Sequence, residues 1–406
     1  MRRAATEQNW YLLTLAVALA LGGIALLYSA SQTATGTDAA YWQFQLIWLF
    51  VALVVYAFIG VVPMRWIEKI TRPAYVLSLL MLVAVLAFPA ISGARSWIRF
   101  GAVGFQPSEF AKIATILVVA QWVARLKTPP HGLTALVVPA FLVGIPAALT
   151  LLQPDLGTAI VYVLLLAALC FWAGTPPVVV LLLLSPLVSV LLTFSLSLWS
   201  LYVLALGGLL FLLRPPRSTW IYVGATNLLM GIVALPLWNQ LAGYQKERLL
   251  IFLQPESDPR GAGWNVIQSK VAIGSGGWFG KGFLEGTQKR LAFLPERHTD
   301  FIFSVLGEEL GFLGVLVAFT LFGMLLLEGV RIAERNPDPY ASTVAFGLVA
   351  LMASHLAINT AMTVGMMPIT GLPLPFVSKG GSFLVVCFAA VALWRKIWIE
   401  RMPARR

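Results

Sequence analysis

The chain is a succession of long apolar segments separated by short polar breaks. A run of roughly 20 apolar residues is long enough to cross a bilayer as a helix. Such segments cover residues 11–27, 44–62, 75–91, 107–124, 133–152, 158–173, 178–192, 196–213, 220–238, 301–327, 341–362 and 383–399. The pattern predicts an all-α polytopic membrane protein that forms one domain over residues 1–406. The predicted protein has 12 membrane spans. If residues 178–213 instead form an extra re-entrant hairpin, it has ten core spans.

One long polar interruption, residues 239–300, separates the ninth apolar segment from the tenth. The chain has only 17 acidic residues, and several of them are concentrated in or next to this interruption. They are Glu247, Glu256, Asp258, Glu285, Glu296, Asp300, Glu308 and Glu309. We expect a catalytic loop at the mouth of a membrane cavity. Periodicity does not distinguish Asp258 from Glu256 or Asp300, although Pro259 favours an extended backbone at Asp258.

Composition supports a membrane protein and argues against a nucleic-acid-binding one. Hydrophobic residues make up 59% of the chain, charged residues 11%, and the mean hydropathy is +0.85. The net charge is +11, but the basic residues lie at segment ends and form no stripe interleaved with aromatics. By the positive-inside rule, their distribution places both termini in the cytoplasm and the 239–300 loop outside. Basic segment ends also suit anionic membrane lipids.

Charged residues near the predicted outer ends of the spans are candidates for a site, because ionisable groups in a membrane are costly. Glu109 and Lys112 are three residues apart and share one face of a helix. They either form a structural ion pair or belong to a functional polar cavity. Asp155 follows Pro154 at a helix break, where it can cap the next helix, contact a ligand, or do both.

Two glycine-containing segments are candidates for anion binding through backbone amides. Residues 378–382 read Ser-Lys-Gly-Gly-Ser ahead of the last span, where a nest of amides and Lys379 would suit a phosphate. A generic glycine-containing turn is the alternative. Residues 274–277 lie between Lys270 and Lys281 and offer a similar cradle. The sequence has no Walker pattern, so nucleotide use is not expected.

Seven motifs along the chain carry a family resemblance. They are QPSEFAK at 106–112, QPDLGT at 153–158, ESDPRGAG at 256–263, QSKVAIGSGG at 268–277, GKG at 280–282, LPERHTDFI at 294–302 and PITGLPLPFVSKGGS at 368–382. These motifs resemble those of the SEDS (shape, elongation, division and sporulation) family, most closely its RodA-type elongation branch. The family core usually has ten helices, so the length at 178–213 is a departure from it.

The resemblance implies a bacterial cytoplasmic-membrane glycosyltransferase that polymerises lipid II into peptidoglycan strands during cell elongation. It also implies a class B penicillin-binding protein as transpeptidase partner, within the rod-shape elongation complex. The essential loop aspartate of the family falls on Asp258, and its polar cavity residues fall on Glu109, Lys112 and Asp155. In this interpretation Asp258 deprotonates the GlcNAc 4-hydroxyl as it attacks the MurNAc anomeric carbon with inversion.

Cations and backbone amides would stabilise the charge that develops on the departing diphosphate. The residues expected to bind substrate are Arg95, Arg99, Glu109, Lys112, Asp155, Ser269, Lys270, Ser275, Gly276, Lys281, His298, Asp300, Ser378, Lys379, Gly380, Gly381 and Ser382. The sequence shows no metal-ligand cluster, and assistance by a divalent cation stays an open hypothesis. The alternative functions are a lipid II flippase, which needs polar groups through the full membrane depth, and a non-enzymatic scaffold.

Overall fold

The computed structural model describes residues 2–32, 40–90, 93–100, 103–130, 132–240, 246, 252, 263–287 and 297–401. These residues form 13 α-helices and one two-stranded antiparallel sheet. The helices are α1 (Arg2–Ser31), α2 (Tyr41–Val61), α3 (Met64–Ala84), α4 (Pro107–Val123), α5 (Val137–Leu152), α6 (Leu156–Trp172), α7 (Pro177–Leu192), α8 (Leu196–Leu213), α9 (Arg217–Gln240), α10 (Trp264–Ser275), α11 (Ile302–Glu334), α12 (Pro339–Thr363) and α13 (Gly381–Glu400). The strands are β1 (Ile98–Phe100) and β2 (Val103–Phe105). Two 3-10 turns cover Val85–Ala87 and Leu133–Leu136.

Each apolar segment predicted from the sequence lies on a helix, which confirms the all-α fold class. By length and composition, eight helices in the described part of the chain can cross a membrane, and α6 and α7 are shorter apolar helices. The bounds predicted for the third segment, 75–91, are wrong. Helix α3 begins at Met64, because Ile67 and Thr71 continue its buried face through the polar residues before Tyr75.

Helix α13 lies at the centre of the bundle. It is buried along most of its length and packs against α2, while α12 packs against α4, α6 and α11. The Trp394 indole N–H of α13 donates to the Ala345 carbonyl of α12 at 2.9 Å. Peripheral helices expose aliphatic and aromatic side chains on their outward faces, as expected for helices that contact lipid.

Helices α7, α8 and α9, which include the predicted extra hairpin, share a small core with α6 and the 3-10 turn Leu133–Leu136. Its buried residues are Leu133, Leu136, Cys170, Val180, Leu182, Leu210 and Val223. Asn227 Nδ2 donates to Ser185 Oγ and Trp199 Nε1 donates to Ser189 Oγ, each at 2.8 Å. Side-chain hydrogen bonds of this kind hold helices together in an apolar medium.

Helix α11 is broken at Gly311, whose φ of 63° and ψ of −162° are not helical. A break leaves backbone groups that need partners, because a bilayer core offers no water to bind them. Residues 276–282, here called the docking turn, supply partners through four hydrogen bonds of 2.9–3.1 Å. These bonds join the amides of Phe312 and Leu313 to the carbonyls of Gly277 and Trp278, and the amides of Lys281 and Gly282 to the carbonyls of Glu308 and Glu309. The docking turn therefore completes the hydrogen bonding of α11.

Candidate active site

The N termini of α4, α6, α11 and α13 and the C terminus of α12 meet at one end of the bundle, here called the polar end. Gln106 precedes α4. Its side-chain Nε2 donates to Asp155 Oδ2 at 3.3 Å, and its backbone N–H donates to Ser382 Oγ at 3.4 Å. Asn359 of α12 donates to the Asp300 carbonyl at 3.0 Å. The predicted site residues gathered here are Glu109, Lys112, Asp155, His298, Asp300, Ser378, Lys379, Gly380, Gly381 and Ser382.

Asp155 caps helix α6, which is one of the two roles expected from the sequence. Its Oδ1 accepts from the Thr158 amide at 3.0 Å, and its Oδ2 accepts from the Thr158 hydroxyl at 2.9 Å. Because Gln106 also donates to Oδ2, the same carboxylate ties α6 to the start of α4. Contact between Asp155 and a ligand stays a prediction.

Glu109 and Lys112 form a buried ion pair that His355 of α12 extends to a cluster of three. Lys112 Nζ lies 2.9 Å from both Glu109 carboxylate oxygens and 2.8 Å from His355 Nε2. His355 Nδ1 lies 3.2 Å from the Pro373 carbonyl. A ring that donates to this carbonyl and accepts from Lys112 is neutral.

This cluster is enclosed by the bundle, since Glu109 is 1% exposed and Lys112 and His355 are 0% exposed. The Phe383 ring stacks on His355 with centroids 4.3 Å apart and covers the cluster. The geometry therefore matches the structural ion pair. Direct contact between Lys112 and substrate stays a prediction, and in this conformation the buried Lys112 charge is compensated by Glu109.

Three of the five backbone amides of residues 378–382 are bonded within the protein, and anion binding by this segment stays a prediction. The amides of Ser378, Lys379 and Gly380 all donate to groups within the protein. Their acceptors are the Leu374 carbonyl at 3.1 Å, the His298 carbonyl at 2.9 Å and Gln45 Oε1 at 3.3 Å, respectively. These three amides are therefore already occupied and fix the backbone before α13.

The hydroxyl groups of this segment also have structural partners. Ser378 Oγ donates to the Thr299 carbonyl at 2.7 Å, and Ser382 Oγ donates to the Gly104 carbonyl at 3.1 Å. A Cβ atom at Gly381 would overlap the Trp48 ring. The segment thus joins the start of α13 to the residues before α11, to β2 and to α2. Packing against Trp48 leaves no room for a side chain at Gly381.

His298 and Lys379 both contact the Tyr41 ring. The His298 and Tyr41 ring centroids are 4.6 Å apart, and Lys379 Nζ lies 3.1 Å from the Tyr41 centroid. A cation over an aromatic face is attracted by the ring quadrupole. Two predicted site residues that are distant in the chain are therefore neighbours at the polar end.

Three residues of α10 and the turn after it make structural contacts. Ser269 is fully buried, and its Oγ lies 2.6 Å from both Ser304 Oγ and the Thr363 carbonyl. Ser275 Oγ donates to the Ala272 carbonyl at 2.9 Å. A Cβ atom at Gly276 would overlap the carbonyl of Gly307 in α11. Substrate contact by Ser269 and Gly276 stays a prediction, and in this structure both residues pack between helices.

Apart from Lys379, which lies over the Tyr41 ring, the predicted cations fall into two groups. Lys112 and Lys281 are each within 2.9 Å of a glutamate carboxylate. Arg95, Arg99 and Lys270 are exposed. The Arg95 amide donates to the Gln153 carbonyl at 3.2 Å, which holds its loop beside the start of α6. The exposed group is better placed to meet an anionic ligand than the internally paired group.

Glu308 and Glu309, which follow the loop in the sequence, are not among the predicted site residues, yet they hold the loop to α11 and α11 to α1. Both are buried at the break of α11, with exposures of 1% and 0%. Glu308 Oε1 accepts from Lys281 Nζ at 2.9 Å and from the Thr287 amide and hydroxyl at 2.8 and 2.9 Å. The Glu309 carboxylate accepts from the Ser29 hydroxyl of α1 at 2.6 Å. The signal that could have found them is the pair of carboxylates between glycines in an apolar segment.

Asp258, the predicted catalytic base, lies outside the described residues, as do Glu256 and Glu296. Within the described part of the chain, no group of three or more His, Cys, Asp or Glu side chains is arranged to hold a metal ion. The roles of Asp258 and of a divalent cation therefore stay predictions.

Comparisons with known proteins agree with the motifs. A family profile covering FtsW, RodA and SpoVE, described as cell cycle protein, matches residues 9–207 and 178–402. The peptidoglycan glycosyltransferase MrdB of Escherichia coli strain K12 is 37% identical over 380 residues, which cover 93% of this chain and 91% of that protein. The peptidoglycan glycosyltransferase RodA of Treponema pallidum strain Nichols is 33% identical over 426 residues, which cover 97% and 98%.

A solved structure supports the same relationship at the level of the fold. It belongs to a peptidoglycan synthase complex described as coordinating polymerization and crosslinking. The TM-score is 0.70 at 27% identity, over 97% of this chain and 98% of that one. Both the family profile and the relatives cover almost the full length. The chain therefore belongs to the family of FtsW, RodA and SpoVE cell cycle proteins, the SEDS family whose motifs the sequence carries.

Proposed function

We propose that this multi-pass membrane protein is a peptidoglycan glycosyltransferase that polymerises lipid II. The observation that carries the proposal is the meeting of three motifs at the polar end, where Gln106, Asp155 and Ser382 are linked by hydrogen bonds. Relatives named as peptidoglycan glycosyltransferases match nearly the whole chain. Their names and the placement of the motifs at one end favour an enzyme over a flippase.

In the proposed reaction, Asp258 accepts the proton of the acceptor GlcNAc 4-hydroxyl. The hydroxyl oxygen then attacks the anomeric carbon of the donor MurNAc while the bond to the lipid diphosphate breaks. Attack from the face opposite the diphosphate inverts that carbon. The assignment of Asp258 rests on the family resemblance of ESDPRGAG at 256–263.

The diphosphate leaves with increasing negative charge, which nearby cations stabilise. We assign this task to Arg95, Arg99 and Lys270, because they are exposed whereas Lys112 and Lys281 are held by carboxylates. A divalent cation is a further proposal for the same task. Polymerisation that continues undiminished in excess chelator would rule the cation out.

We place the polar end and the 239–300 loop outside the cytoplasm of a bacterial cell, and both termini inside. Basic residues lie at the opposite ends of the helices, consistent with the positive-inside rule. They include Arg65, Arg125, Arg331 and Arg395. Labelling of a single introduced cysteine in the loop by a membrane-impermeant reagent, in intact cells, tests this orientation.

A class B penicillin-binding protein is the proposed partner, as the transpeptidase of a rod-shape elongation complex. The similar solved structure belongs to a synthase complex that couples polymerization to crosslinking. We infer that the partner activates polymerisation by changing the position of the loop. Equal rates for the protein alone and for its complex would contradict this inference.

The test of the function uses purified full-length protein in detergent or nanodiscs, supplied with lipid II. We expect glycan strands longer than the disaccharide, detected by gel electrophoresis of labelled product. The flippase alternative is tested in parallel with fluorescent lipid II in sealed vesicles. Transport without polymer formation would contradict the proposal.

A further inference from the structure

A cavity of about 250 Å³ lies between the C termini of α4 and α6 and the N terminus of α12, at the end of the bundle opposite the polar end. Part of its lining is apolar, with Val123 and the Trp172 ring, and the rest carries polar side chains. The polar lining residues are Lys127, Thr128, Ser342 and Thr343. The cavity is far larger than one water molecule needs, so it can hold a polar group of several atoms.

Two of the lining side chains already have partners within the protein. The Trp172 indole N–H donates to Ser342 Oγ at 3.0 Å, and Ser342 Oγ donates to the Ala333 carbonyl at 2.8 Å. The Trp172 ring also stacks on Phe346 of α12, with centroids 4.1 Å apart. Trp172 and Ser342 therefore form a fixed wall that ties α6 to α12 and has no side-chain donor left for a ligand.

Lys127 and Thr343, in contrast, keep unused donors. Thr343 is 2% exposed, and across the described residues its hydroxyl forms no hydrogen bond. A buried hydroxyl without a partner costs free energy, which a ligand in the cavity would recover. Lys127 is exposed, and its ammonium forms no ion pair with any described carboxylate. Asp338 does not line the cavity, and its Oδ1 accepts from the Tyr340 amide at 3.1 Å. The cavity thus offers a cation and a hydroxyl donor, and no carboxylate lines it.

We propose that this cavity binds the phosphate of an anionic phospholipid head group. An ammonium and a hydroxyl are suitable donors for phosphate oxygens, and the N terminus of α12 adds the positive end of a helix dipole. Phe171, next to Trp172 on α6, is 50% exposed, so the membrane adjoins the cavity. Tryptophan is also typical of the level at which lipid head groups lie.

The identity of the lipid rests on the proposed orientation, which places this end in the cytoplasmic leaflet, where anionic lipids attract basic residues. A bound head group would join α4, α6 and α12, whose opposite ends meet at the polar end. Because a ligand that binds only the folded state stabilises it, phosphatidylglycerol should raise the unfolding temperature of the protein. A soluble phosphate ester has the same binding chemistry, and the test below separates the two sources.

The test is a titration of the full-length protein in mild detergent with phosphatidylglycerol, followed by native mass spectrometry and thermal unfolding. Dioleoylglycerol, which has no phosphate, and glycerol 3-phosphate, which has no acyl chains, are titrated in parallel. We expect saturable binding of phosphatidylglycerol only. Lys127→Met should weaken it at least about tenfold and Thr343→Val about fivefold, the usual losses of a charged and of a neutral hydrogen bond.

Arg125→Met is the matched control, because Arg125 is also exposed, lies two residues from Lys127 and does not line the cavity. Its affinity for phosphatidylglycerol should stay within about twofold of the wild-type value. Unchanged binding in both Lys127→Met and Thr343→Val, or an equal loss in Arg125→Met, would overturn the site. Equal affinity for dioleoylglycerol or for glycerol 3-phosphate would overturn the lipid head group as its ligand. Binding in detergent depends neither on polymerisation nor on orientation, so a failure here is distinguishable from a failure of the proposed function.

Discussion

Lys281 Nζ lies 2.9 Å from Glu308 Oε1, although the two residues are 27 positions apart in the chain. Glu308 is buried, whereas 27% of the Lys281 side chain is exposed. Together with the backbone bonds of the docking turn, this pair fastens the end of α10 to the broken helix α11. The described part of the polar loop is therefore held to α11 at the docking turn.

Removal of the Lys281 charge should destabilise the protein. Lys281→Met leaves Glu308 buried without this cation, and we expect a loss of roughly 2 kcal/mol, between the values for surface and buried pairs. The measurement is thermal unfolding in mild detergent. Arg331→Met is the matched control, because Arg331 pairs with buried Glu328 but is 60% exposed and should cost less. Equal unfolding temperatures for the two variants would count against a fastening role for Lys281.

The enclosed pair at Glu109 and Lys112 should behave as a unit. Lys112→Met leaves a buried carboxylate unpaired, and we expect it to lower stability by about 3–5 kcal/mol. The double variant Glu109→Gln/Lys112→Met removes both charges and should recover much of that loss. The comparison needs unfolding temperatures of both variants and of the wild type. A Lys112→Met variant as stable as the wild type would show that the pair is not structural.

Two glycines of one segment should respond in opposite directions to alanine. Gly276→Ala places a Cβ against the Gly307 carbonyl, and such overpacking costs roughly 1–3 kcal/mol. Gly274 in α10 has no heavy atom within 4 Å of a Cβ position, so Gly274→Ala should stabilise the helix by about 0.5–1 kcal/mol. Thermal unfolding of both variants is the measurement. Equal effects would contradict the close approach of the docking turn to α11.

Asp155 permits a separation of capping from catalysis. Asp155→Ala removes the cap of α6 and should cost about 1 kcal/mol. Asp155→Asn keeps an oxygen for the Thr158 amide but loses the acceptor for Gln106 Nε2, so it should cost less than Asp155→Ala. Unfolding temperature and polymerisation rate are measured on the same preparations. A large loss of stability in Asp155→Asn would contradict the capping geometry. A loss of rate alone would show that the carboxylate charge has a second role.

The helical framework was predictable because apolar length alone defines a helix in a membrane. The Asp155 cap was predictable for a similar reason, since an Asp after a helix break has few other local roles. The N-terminal end of α3 was not, because Met64 to Arg72 is polar by composition but continues a buried face. A count of apolar residues does not detect a helix end that is amphipathic.

The assignment of site residues was less predictable, because it depends on contacts between distant parts of the chain. Ser269 and Gly276 lie in recognisable motifs, yet their partners are in α11 and α12. The amides of 378–380 formed a plausible anion site in isolation, but His298 and Gln45 occupy two of them. A motif indicates that a residue matters, and only the contacts separate packing from ligand binding.

The central claim is tested most directly by glycan-strand synthesis from lipid II with the purified full-length Asp258→Asn variant. Asp338→Asn is the control, because Asp338 caps α12 through the Tyr340 amide at the opposite end of that helix, and Asn keeps such a cap. We expect wild-type rates for Asp338→Asn and a loss of at least about 100-fold for Asp258→Asn, the usual size of a general-base contribution. Normal polymerisation by a folded Asp258→Asn variant would contradict the account.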